Sequence, residues 1–316
     1  MDQSPRPPAK VITVINLKGG VGKTHTSWLL ASVCQERSLR VLVVDTDTQA
    51  NLTNSFLPER DGLPSIEALF NPASDTPAHT LIRRTRFSHI DILPASQALA
   101  HFDVTDARQW ERTDLHLSLR DSMTAVRPDY DYIVFDCPPR LSVVSYAALC
   151  ASDYVIIPLE AADWGAQGIV QVTAAIEQVK ATYHPGLRLL GYLVSRFKRA
   201  RSYQQSYLSQ LREHFGALAF DTVIPDLAQF EKSVTDSIPI TLHSPSSEEA
   251  GIARTFADEV NRRIEGVTSR GAPGREEDVR GGAQAAIRAN RARHGSHART
   301  TASRRRVLDR TESHSA

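Results

Sequence analysis

The chain has 316 residues, of which 41% are hydrophobic and 23% charged, enough to bury one large core or two modest ones. No segment approaches the ~20 apolar residues of a membrane-spanning helix, and the polar, proline-rich start lacks the apolar core of a signal peptide. A net charge of +1 argues neither for nor against nucleic-acid binding, and three cysteines without paired spacing exclude a disulfide framework and fit a reducing cytoplasm.

The charge is unevenly distributed along the chain. Residues 266–316 contain 11 arginines, no lysine and 5 acidic residues, a net charge of +6, which leaves −5 for residues 1–265. This C-terminal stretch has almost no large apolar side chains, so it cannot bury enough surface to offset the entropy of ordering. The sequence therefore predicts a disordered N-terminus over residues 1–10, a folded domain over 11–266 and a disordered, arginine-rich tail over 267–316.

From residue 11 onwards, apolar runs typical of buried strands alternate with segments of helical character. Predicted strands cover residues 11–16, 40–47, 90–94, 132–136, 154–158, 189–195 and 222–225. Predicted helices cover 24–37, 66–70, 106–126, 146–150, 168–181, 202–215 and a last segment that is capped by Ser246 and Glu249 and ends at Gly266. This alternation predicts an α/β fold: a doubly wound, mostly parallel sheet with helices on both faces and ligands at the carboxyl ends of its strands.

A glycine-rich loop, Leu-Lys-Gly-Gly-Val-Gly-Lys-Thr, joins the first predicted strand to the first helix at residues 17–24. Its glycines allow the backbone N–H groups to form a nest, and the helix N-terminus adds partial positive charge, so the segment suits phosphate. Lys23 is expected to reach the β- and γ-phosphates, and Thr24 to offer its hydroxyl to Mg²⁺. The standard P-loop has glycine at the position of Leu17, and here the interior carries a second lysine, Lys18. A turn without a ligand is the alternative, but the order of strand, glycines, Lys-Thr and helix favours the nucleotide.

Carboxylates end two of the predicted strands. Asp136 closes a buried run and precedes Cys-Pro-Pro, which fits the Walker B position, where a carboxylate holds Mg²⁺ through its water shell. An aspartate that merely caps a turn is the other interpretation. Asp45 and Asp47 end the second strand. Because the carboxyl ends of parallel strands meet at one edge of a sheet, these side chains are expected beside the glycine loop.

These segments resemble the motifs of one ATPase family. The loop resembles the deviant Walker A loop, KGGxGK[ST], of the ParA/MinD ATPases, and residues 45–53 (DTDTQANLT) resemble their DxDPQGNLT switch I segment. The resemblance implies that Lys18 reaches across a dimer interface to the other subunit's nucleotide, that Asp47 positions the attacking water and that Asp45 lies nearer the metal. The expected catalytic residues are Lys18, Lys23 and Asp47. The expected Mg²⁺ ligands are Thr24, Asp45 and Asp136. The expected ATP-binding residues are Lys18, Gly19, Gly20, Val21, Gly22, Lys23, Thr24, His25 and, in a late loop, Pro225.

The sequence departs from the family pattern at several positions. Thr48 stands for the usual proline of switch I and Ala50 for the usual glycine. His25 replaces a second threonine; its backbone N–H is expected to serve the α-phosphate as threonine would, and no catalytic role is expected of its ring. Gln229 takes the place of an arginine that helps many relatives to bind DNA, and Lys232 takes the place of a glutamate.

Three basic patches are candidates for DNA contact: the loop after the strand at 189–195, the surroundings of Lys232, and the tail. The loop contributes Arg196, Lys198, Arg199 and Arg201. The tail contributes a run of Arg304, Arg305 and Arg306. A charge run is usually a solvated face, but the tail arginines can neutralise phosphates without reading sequence, which predicts weak, salt-sensitive, non-specific binding.

The resemblance implies a function. An ATP-dependent sandwich homodimer is expected to coat non-specific DNA in the cytoplasm, at the nucleoid, and a ParB-like partner to stimulate slow ATP hydrolysis as plasmid or chromosome DNA is segregated. One alternative is a related ATPase that positions a protein cargo on the nucleoid. Another is a MinD-like membrane switch, which the tail disfavours because it lacks the apolar face of a membrane-binding helix.

Overall fold

The computed structural model describes residues 7–58, 62, 64–71, 74–103, 110–161 and 166–269. The predicted disordered tail lies outside the described residues except for 267–269, and so do the first six residues of the predicted disordered N-terminus. Within the described part of the chain, no helix is both long and apolar enough to cross a bilayer.

The strands that the structure describes form one seven-stranded sheet. They are β1 (Lys10–Val14), β2 (Val41–Asp45), β3 (Arg83–Arg84), β4 (Ile90–Leu93), β5 (Tyr132–Asp136), β6 (Tyr154–Glu160) and β7 (Arg188–Ser195). Their order is β3-β4-β2-β5-β1-β6-β7, and every neighbouring pair is parallel except β3 with β4. The predicted doubly wound, mostly parallel sheet is confirmed.

Helices connect the strands and continue beyond them. They are α1 (Lys23–Glu36), α2 (Asn51–Phe56), α3 (Ala78–Leu81), α4 (Thr113–Thr124), α5 (Val143–Ala151), α6 (Ala166–Thr182), α7 (Ser202–Phe215), α8 (Ala228–Thr235), α9 (Ile240–His243) and α10 (Glu248–Ser269). Short 3₁₀ turns lie at Ile66–Phe70, Gln97–His101, Arg127–Asp129 and Gly216–Leu218.

Each face of the sheet has its own hydrophobic core. Along β2, Leu42 and Val44 pack into the core that contains α4 and α5, whereas Val41 and Val43 pack into the core that contains α1 and α10. This alternation follows from the two-residue period of a strand. It explains why the central strands β1, β2, β5 and β6 are largely apolar: both of their faces are covered.

The strand order places the predicted site at the middle of the sheet. β1 lies between β5 and β6, and the chain crosses from one side of β1 to the other between these two strands. In open parallel sheets such a switch of direction leaves a crevice at the carboxyl ends of the strands, where ligands bind. The glycine loop leaves β1 at this crevice.

Three local predictions were wrong. Residues 222–225 form no strand; Pro225 makes a single bridge to Phe197. The last helix does not end at Gly266 but continues to Ser269, because Gly266 keeps a negative φ, and glycine inside a helix costs only about 1 kcal/mol relative to alanine. Its first turn is capped by Ser247, whose Oγ accepts the N–H of Ala250 at 3.1 Å, and not by Ser246.

Candidate active site

The glycine loop lies between the end of β1 and the start of α1. Gly20 and Gly22 have φ angles of 76° and 84°, in the left-handed region that favours glycine. A Cβ on Gly22 would also meet Oγ of Ser195, at the end of β7, at 3.0 Å. The Ser195 hydroxyl donates to the carbonyl oxygen of Val21, so the end of β7 is hydrogen-bonded to the loop. α1 begins with neither a side-chain cap nor an acidic residue in its first turn, which leaves its first N–H groups for an anion.

The side chain of Lys23 is buried and bonds back to the same loop. It is 7% exposed, and its Nζ donates a hydrogen bond to the carbonyl oxygen of Lys18 at 3.0 Å. Burial lowers the pKa of Lys23, while the charges of Asp136 and Asp47 act in the opposite direction. A buried cation on a glycine loop fits the role predicted for Lys23 on the β- and γ-phosphates.

Asp45 and Asp136 are neighbours across the sheet. They are register partners of β2 and β5, and both are buried. Burial raises the pKa of Asp45 to about 6. Burial and the charge of Asp45 together raise the pKa of Asp136 well above its usual range. Two buried carboxyl groups this close resist simultaneous ionisation, and a divalent cation beside them would relieve the repulsion.

The predicted metal ligands converge from two elements. The Thr24 side chain, at the start of α1, is hydrogen-bonded to Asp136, and Oγ of Ser27 lies 3.5 Å from Oδ1 of the same carboxyl group. In the described residues no group of three His, Cys, Asp or Glu side chains could hold a metal by itself. The oxygens of Thr24 and Asp136 nevertheless fit Mg²⁺, which keeps waters and takes substrate phosphate oxygens as its remaining ligands.

Asp45 lies beside this pair, but its oxygens are already engaged. Its Oδ2 accepts the N–H and the hydroxyl of Thr53, at 2.8 and 2.7 Å, and its Oδ1 accepts the N–H of Asp47 at 3.0 Å. Asp45 therefore organises the segment that follows β2 in addition to placing negative charge near the predicted metal. Sequence reasoning did not find this second task.

Asp47 stands on a tight turn beyond β2. Its carbonyl oxygen accepts the N–H of Ala50 at 2.8 Å, which makes Thr48 and Gln49 the central residues of a β-turn. Asp47 Oδ1 also accepts the N–H of Gln49 at 3.0 Å. Ala50 has a φ of 51°, the left-handed conformation that the glycine of the family pattern would adopt without strain. The two substituted positions of switch I, Thr48 and Ala50, are thus the second and fourth residues of this turn.

Lys18 is held within its own chain. Its Nζ lies 3.4 Å from the carboxylate of Glu160, at the end of β6, and its N–H donates to Oδ1 of Asn16 at 2.9 Å. Gly19 lies beside it and is open, since a Cβ there would meet nothing within 4 Å. The role predicted for Lys18 on another subunit stays a prediction; the structure adds the Glu160 contact, which the sequence did not reveal.

His25 contacts α8, and Pro225 precedes that helix in the chain. The His25 ring packs edge-on against Phe230 of that helix, with ring centroids 4.8 Å apart. Burial and the charge of Arg196 lower the pKa of His25 to about 4. Pro225 is fixed beside the end of β7 through its bridge to Phe197. The His25 ring therefore packs against α8, and its backbone N–H belongs to the first turn of α1.

The predicted DNA-contacting residues are not one free patch. Nη1 of Arg196 donates to the carbonyl oxygen of Gly20 at 3.3 Å, which places this guanidinium against the glycine loop. The other three bond to neighbours: Lys198 to Asp226 at 3.0 Å, Arg199 to Glu248 at 2.9 Å, and Arg201 to the hydroxyl of Tyr203 at 2.7 Å. Lys232 is exposed on α8. Arg304, Arg305 and Arg306 lie outside the described residues.

Besides Glu160, sequence reasoning missed the charged residue Arg140 near the site. Arg140 follows the Cys-Pro-Pro segment after β5, and its guanidinium bonds to both Asp103 and Thr48. Its position directly after a strand-end motif was the available signal, since that places it at the same edge of the sheet as Asp47.

Comparisons with known proteins identify chains that are similar to this one. A family model described as an AAA domain matches residues 9–189. The chromosome-partitioning ATPase Soj of Thermus thermophilus is 33% identical over 254 residues, which cover 80% of this chain and 96% of Soj. The chromosome partitioning protein ParA of Myxococcus xanthus is 30% identical over 241 residues, 76% of this chain and 83% of that protein.

A solved structure is similar over the same region. It is that of cobyrinic acid a,c-diamide synthase from Mycobacterium smegmatis with bound ADP and magnesium, with 28% identity and a TM-score of 0.68; the match covers 81% of this chain and 96% of the other. The family model, the two relatives and the deviant glycine loop lead to one conclusion: the chain belongs to the ParA/Soj family of the ParA/MinD deviant Walker A superfamily.

Proposed function

We propose that the protein is an ATP-hydrolysing partition switch, which forms a sandwich dimer with ATP, binds DNA without sequence preference and releases it after hydrolysis. One observation supports this most directly. Lys23 on the glycine loop lies in the field of the Asp136 and Asp47 carboxylates, and Asp45 is the register partner of Asp136 on the neighbouring parallel strand. The same loop carries a second lysine, Lys18. A simple nucleotide-binding loop needs only Lys23 and Thr24; the second lysine and the switch I carboxylates belong to a switch.

Each residue of this set has a proposed task. The N–H groups of the glycine loop and of the first turn of α1 bind the phosphates, and Lys23 neutralises their charge. Thr24 and Asp136, with Asp45 beside them, would hold Mg²⁺, which supplies further neutralisation of phosphate charge when bound. Asp47 orients the attacking water from its turn, where its carboxylate is half-buried and linked to the backbone of Gln49.

Dimer formation and partner use rest on the relatives. Proteins named Soj and ParA, at 33% and 30% identity, are described as chromosome-partitioning proteins. A ParB-like DNA-bound partner and a segregated chromosome or plasmid are therefore proposed for this chain as well, with a cytoplasmic, nucleoid-associated location. Turnover without DNA or partner is expected to be slow, because Lys18 is then held by Glu160 and stays away from another subunit's nucleotide.

The arginine tail is proposed as the main DNA contact. Three basic residues of the loop after β7 already have acidic or hydroxyl neighbours, and Arg196 faces the glycine loop, so this loop offers little unpaired charge to phosphates. Each arginine that neutralises a phosphate releases counterions and steepens the salt dependence of binding.

The decisive experiment measures binding of the full-length protein to non-specific duplex DNA with ATP, with ADP and without nucleotide. We expect salt-sensitive binding with ATP only, and a loss of roughly ten-fold in affinity when Arg304, Arg305 and Arg306 are all changed to alanine. An Asp47→Ala variant should bind ATP and DNA but hydrolyse slowly. DNA binding independent of nucleotide contradicts the switch. Binding of ATP-loaded protein to liposomes in place of DNA would support the membrane alternative.

A further inference from the structure

We propose that Arg140 is a positioning residue for hydrolysis: it bridges Asp103 to Thr48 and so holds the β-turn that carries Asp47. This inference deepens the proposed ATPase function and rests on it. Within the described residues, the hydrogen bonds of the Arg140 side chain go to Asp103 and Thr48 and to no predicted ligand of the phosphates or the metal. It acts through Thr48, one residue away from the carboxylate that is expected to orient the water.

The first step is the bridge itself. The Arg140 guanidinium donates to one carboxylate oxygen of Asp103, and its Nη2 also donates to Oγ1 of Thr48 at 3.4 Å. The Asp103 side chain is 3% exposed, whereas that of Arg140 is 49% exposed. One end of the bridge is thus buried and fixed, and the other end reaches a turn at the surface of the site.

The buried Asp103 carboxylate has the Arg140 guanidinium as its counter-charge. Its second carboxylate oxygen, Oδ1, is buried and has no hydrogen-bond partner within the described residues. A buried carboxylate with an unsatisfied oxygen is stable as an anion only beside a cation, and Arg140 is that cation. The charges of Asp103 and Asp47 both raise the pKa of Arg140, so the guanidinium also lies in the field of Asp47.

The second step concerns the turn. Asp47 and Ala50 close it with one backbone hydrogen bond of 2.8 Å, which puts Thr48 at the second of its four positions. Proline is favoured there because its ring already fixes the φ angle that the turn requires. The family pattern has proline at this position and this chain has threonine. In this chain the hydrogen bond from Arg140 restrains Thr48, in place of the covalent restraint that a proline ring would supply.

A strain in the turn makes this restraint necessary. Ala50 holds a left-handed φ of 51°, in which the Cβ of an L-residue is crowded by its own backbone. A turn with a strained last residue and a flexible second residue has other conformations of similar energy. The Arg140 bridge selects the one in which Oδ1 of Asp47 accepts the N–H of Gln49 at 3.0 Å and the carboxylate is oriented.

The test compares four variants of the full-length protein: Arg140→Ala, Arg140→Lys, Thr48→Val, and Arg140→Ala combined with Thr48→Pro. We expect Arg140→Ala to lower kcat roughly 10- to 100-fold, in line with a misplaced water-orienting group, while the Kd for ATP changes less than two-fold. Thr48→Val, which removes only the hydroxyl, should lower kcat by a smaller factor. Arg140→Lys should fall between wild type and alanine, because it keeps the charge but not the two-armed geometry.

The double variant distinguishes restraint of the turn by Arg140 from direct action of Arg140 on the nucleotide. If Arg140 acts only by restraining the turn, proline at position 48 should restore most of the lost kcat. Failure of this rescue, together with an unaffected Thr48→Val variant, would mean that the guanidinium acts directly on the nucleotide, and would overturn the inference.

A second measurement does not require ATP. Amide hydrogen exchange of Gln49 and Ala50 in the nucleotide-free protein should become faster in Arg140→Ala and return toward wild type in the double variant. Unchanged exchange would overturn the inference even if kcat falls. A wild-type protein that hydrolyses no ATP would instead contradict the proposed function, and the exchange data would still decide whether Arg140 holds the turn.

Discussion

Nζ of Lys18 lies 3.4 Å from the carboxylate of Glu160, which joins the glycine loop to the end of β6 within one chain. The two side chains are 36% and 33% exposed, so the pair is weak, at most about 1 kcal/mol. If Lys18 serves the nucleotide of another subunit, it must leave Glu160 to do so. The pair therefore biases the chain toward the monomer by a small amount.

A first prediction follows for Glu160→Gln. Removing the carboxylate should favour the ATP-bound dimer up to about 30-fold, because each of the two subunits loses a bias of at most about 1 kcal/mol. Sedimentation or light scattering across an ATP titration measures the shift. Glu177→Gln is the matched control, since Glu177 pairs with Lys180 at 3.1 Å on α6, and it should leave dimerisation unchanged. A weaker dimer in Glu160→Gln would show that this carboxylate supports the interface.

The second prediction concerns Ala50→Gly. Ala50 holds a φ of 51°, so glycine should relieve about 1 kcal/mol of strain, partly offset by the greater freedom of glycine in the unfolded chain. We expect an unchanged or slightly higher Tm and a modest change in kcat, because the turn of Asp47 becomes less constrained. Ser38→Gly is the control: Ser38 has a φ of 57° just after α1, and its Tm should respond similarly while kcat stays constant. A fall in Tm of several degrees for Ala50→Gly alone would contradict the strain.

The fold was predictable because its signals are local. Apolar strands end in carboxylates at Asp45 and Asp136, and a glycine loop lies between a strand and a helix. These local patterns predict both the parallel sheet and the edge of the sheet at which a nucleotide is expected to bind. The bridge of Arg140 and the contact of Glu160 were not predictable. Each joins residues distant in sequence, and no periodicity or spacing reports which charged side chain meets which loop.

The same limit explains the error at 222–225. The run Thr222-Val-Ile-Pro225 has the composition of a strand, but its hydrogen bonds go to different neighbours. The N–H of Thr222 donates to the Glu259 carboxylate, and the N–H of Ile224 donates to the carbonyl oxygen of Val194. A side chain of α10 thus takes the place of a strand partner, which local sequence does not encode.

The third prediction concerns the contacts that Glu259 and Arg263 of α10 make with the backbone of residues 217–222, which we name the Glu259 clamp. Glu259 accepts the N–H groups of Asp221 and Thr222, both at 2.8 Å, and pairs with Arg263, whose guanidinium also donates to three backbone carbonyl oxygens, those of Leu190, Ala217 and Ala219. Arg263→Ala leaves a buried carboxylate without its cation and should lower the free energy of unfolding by roughly 3 kcal/mol. Chemical denaturation measures this loss.

Its control lies on the same helix. Arg254 bonds to Glu36 at 2.7 Å in a partly exposed pair, with side chains 33% and 29% exposed, so Arg254→Ala should cost no more than about 1 kcal/mol. Because the clamp also places the segment that leads to Pro225, Arg263→Ala should weaken ATP binding beyond the loss of stability. Equal losses in the free energy of unfolding for the two variants would contradict the larger contribution expected of the buried Glu259–Arg263 pair.

The last prediction is a pH dependence caused by His116. This side chain of α4 is 6% exposed among the rings of Trp110, Tyr146 and Tyr183, with its Nδ1 3.2 Å from the Tyr183 hydroxyl, and burial lowers its pKa despite the charge of nearby Asp114. The unfolded chain therefore takes up a proton near pH 6.5 that the folded chain resists. Stability should be fully present above pH 6.5 and fall as the pH drops, by up to about 1.4 kcal/mol per pH unit.

Urea denaturation between pH 5 and 7.5 measures this slope in wild type and in His116→Gln. The variant is expected to be less stable at neutral pH, because it disturbs the ring cluster, but to lose less stability on acidification. His79→Gln, at an exposed site on α3, is the control and should keep the wild-type slope. The difference between the two slopes isolates His116, since His25 and His184, whose pKa values burial also lowers, titrate in every variant. Parallel slopes for wild type and His116→Gln would show that His116 takes up its proton without loss of the fold.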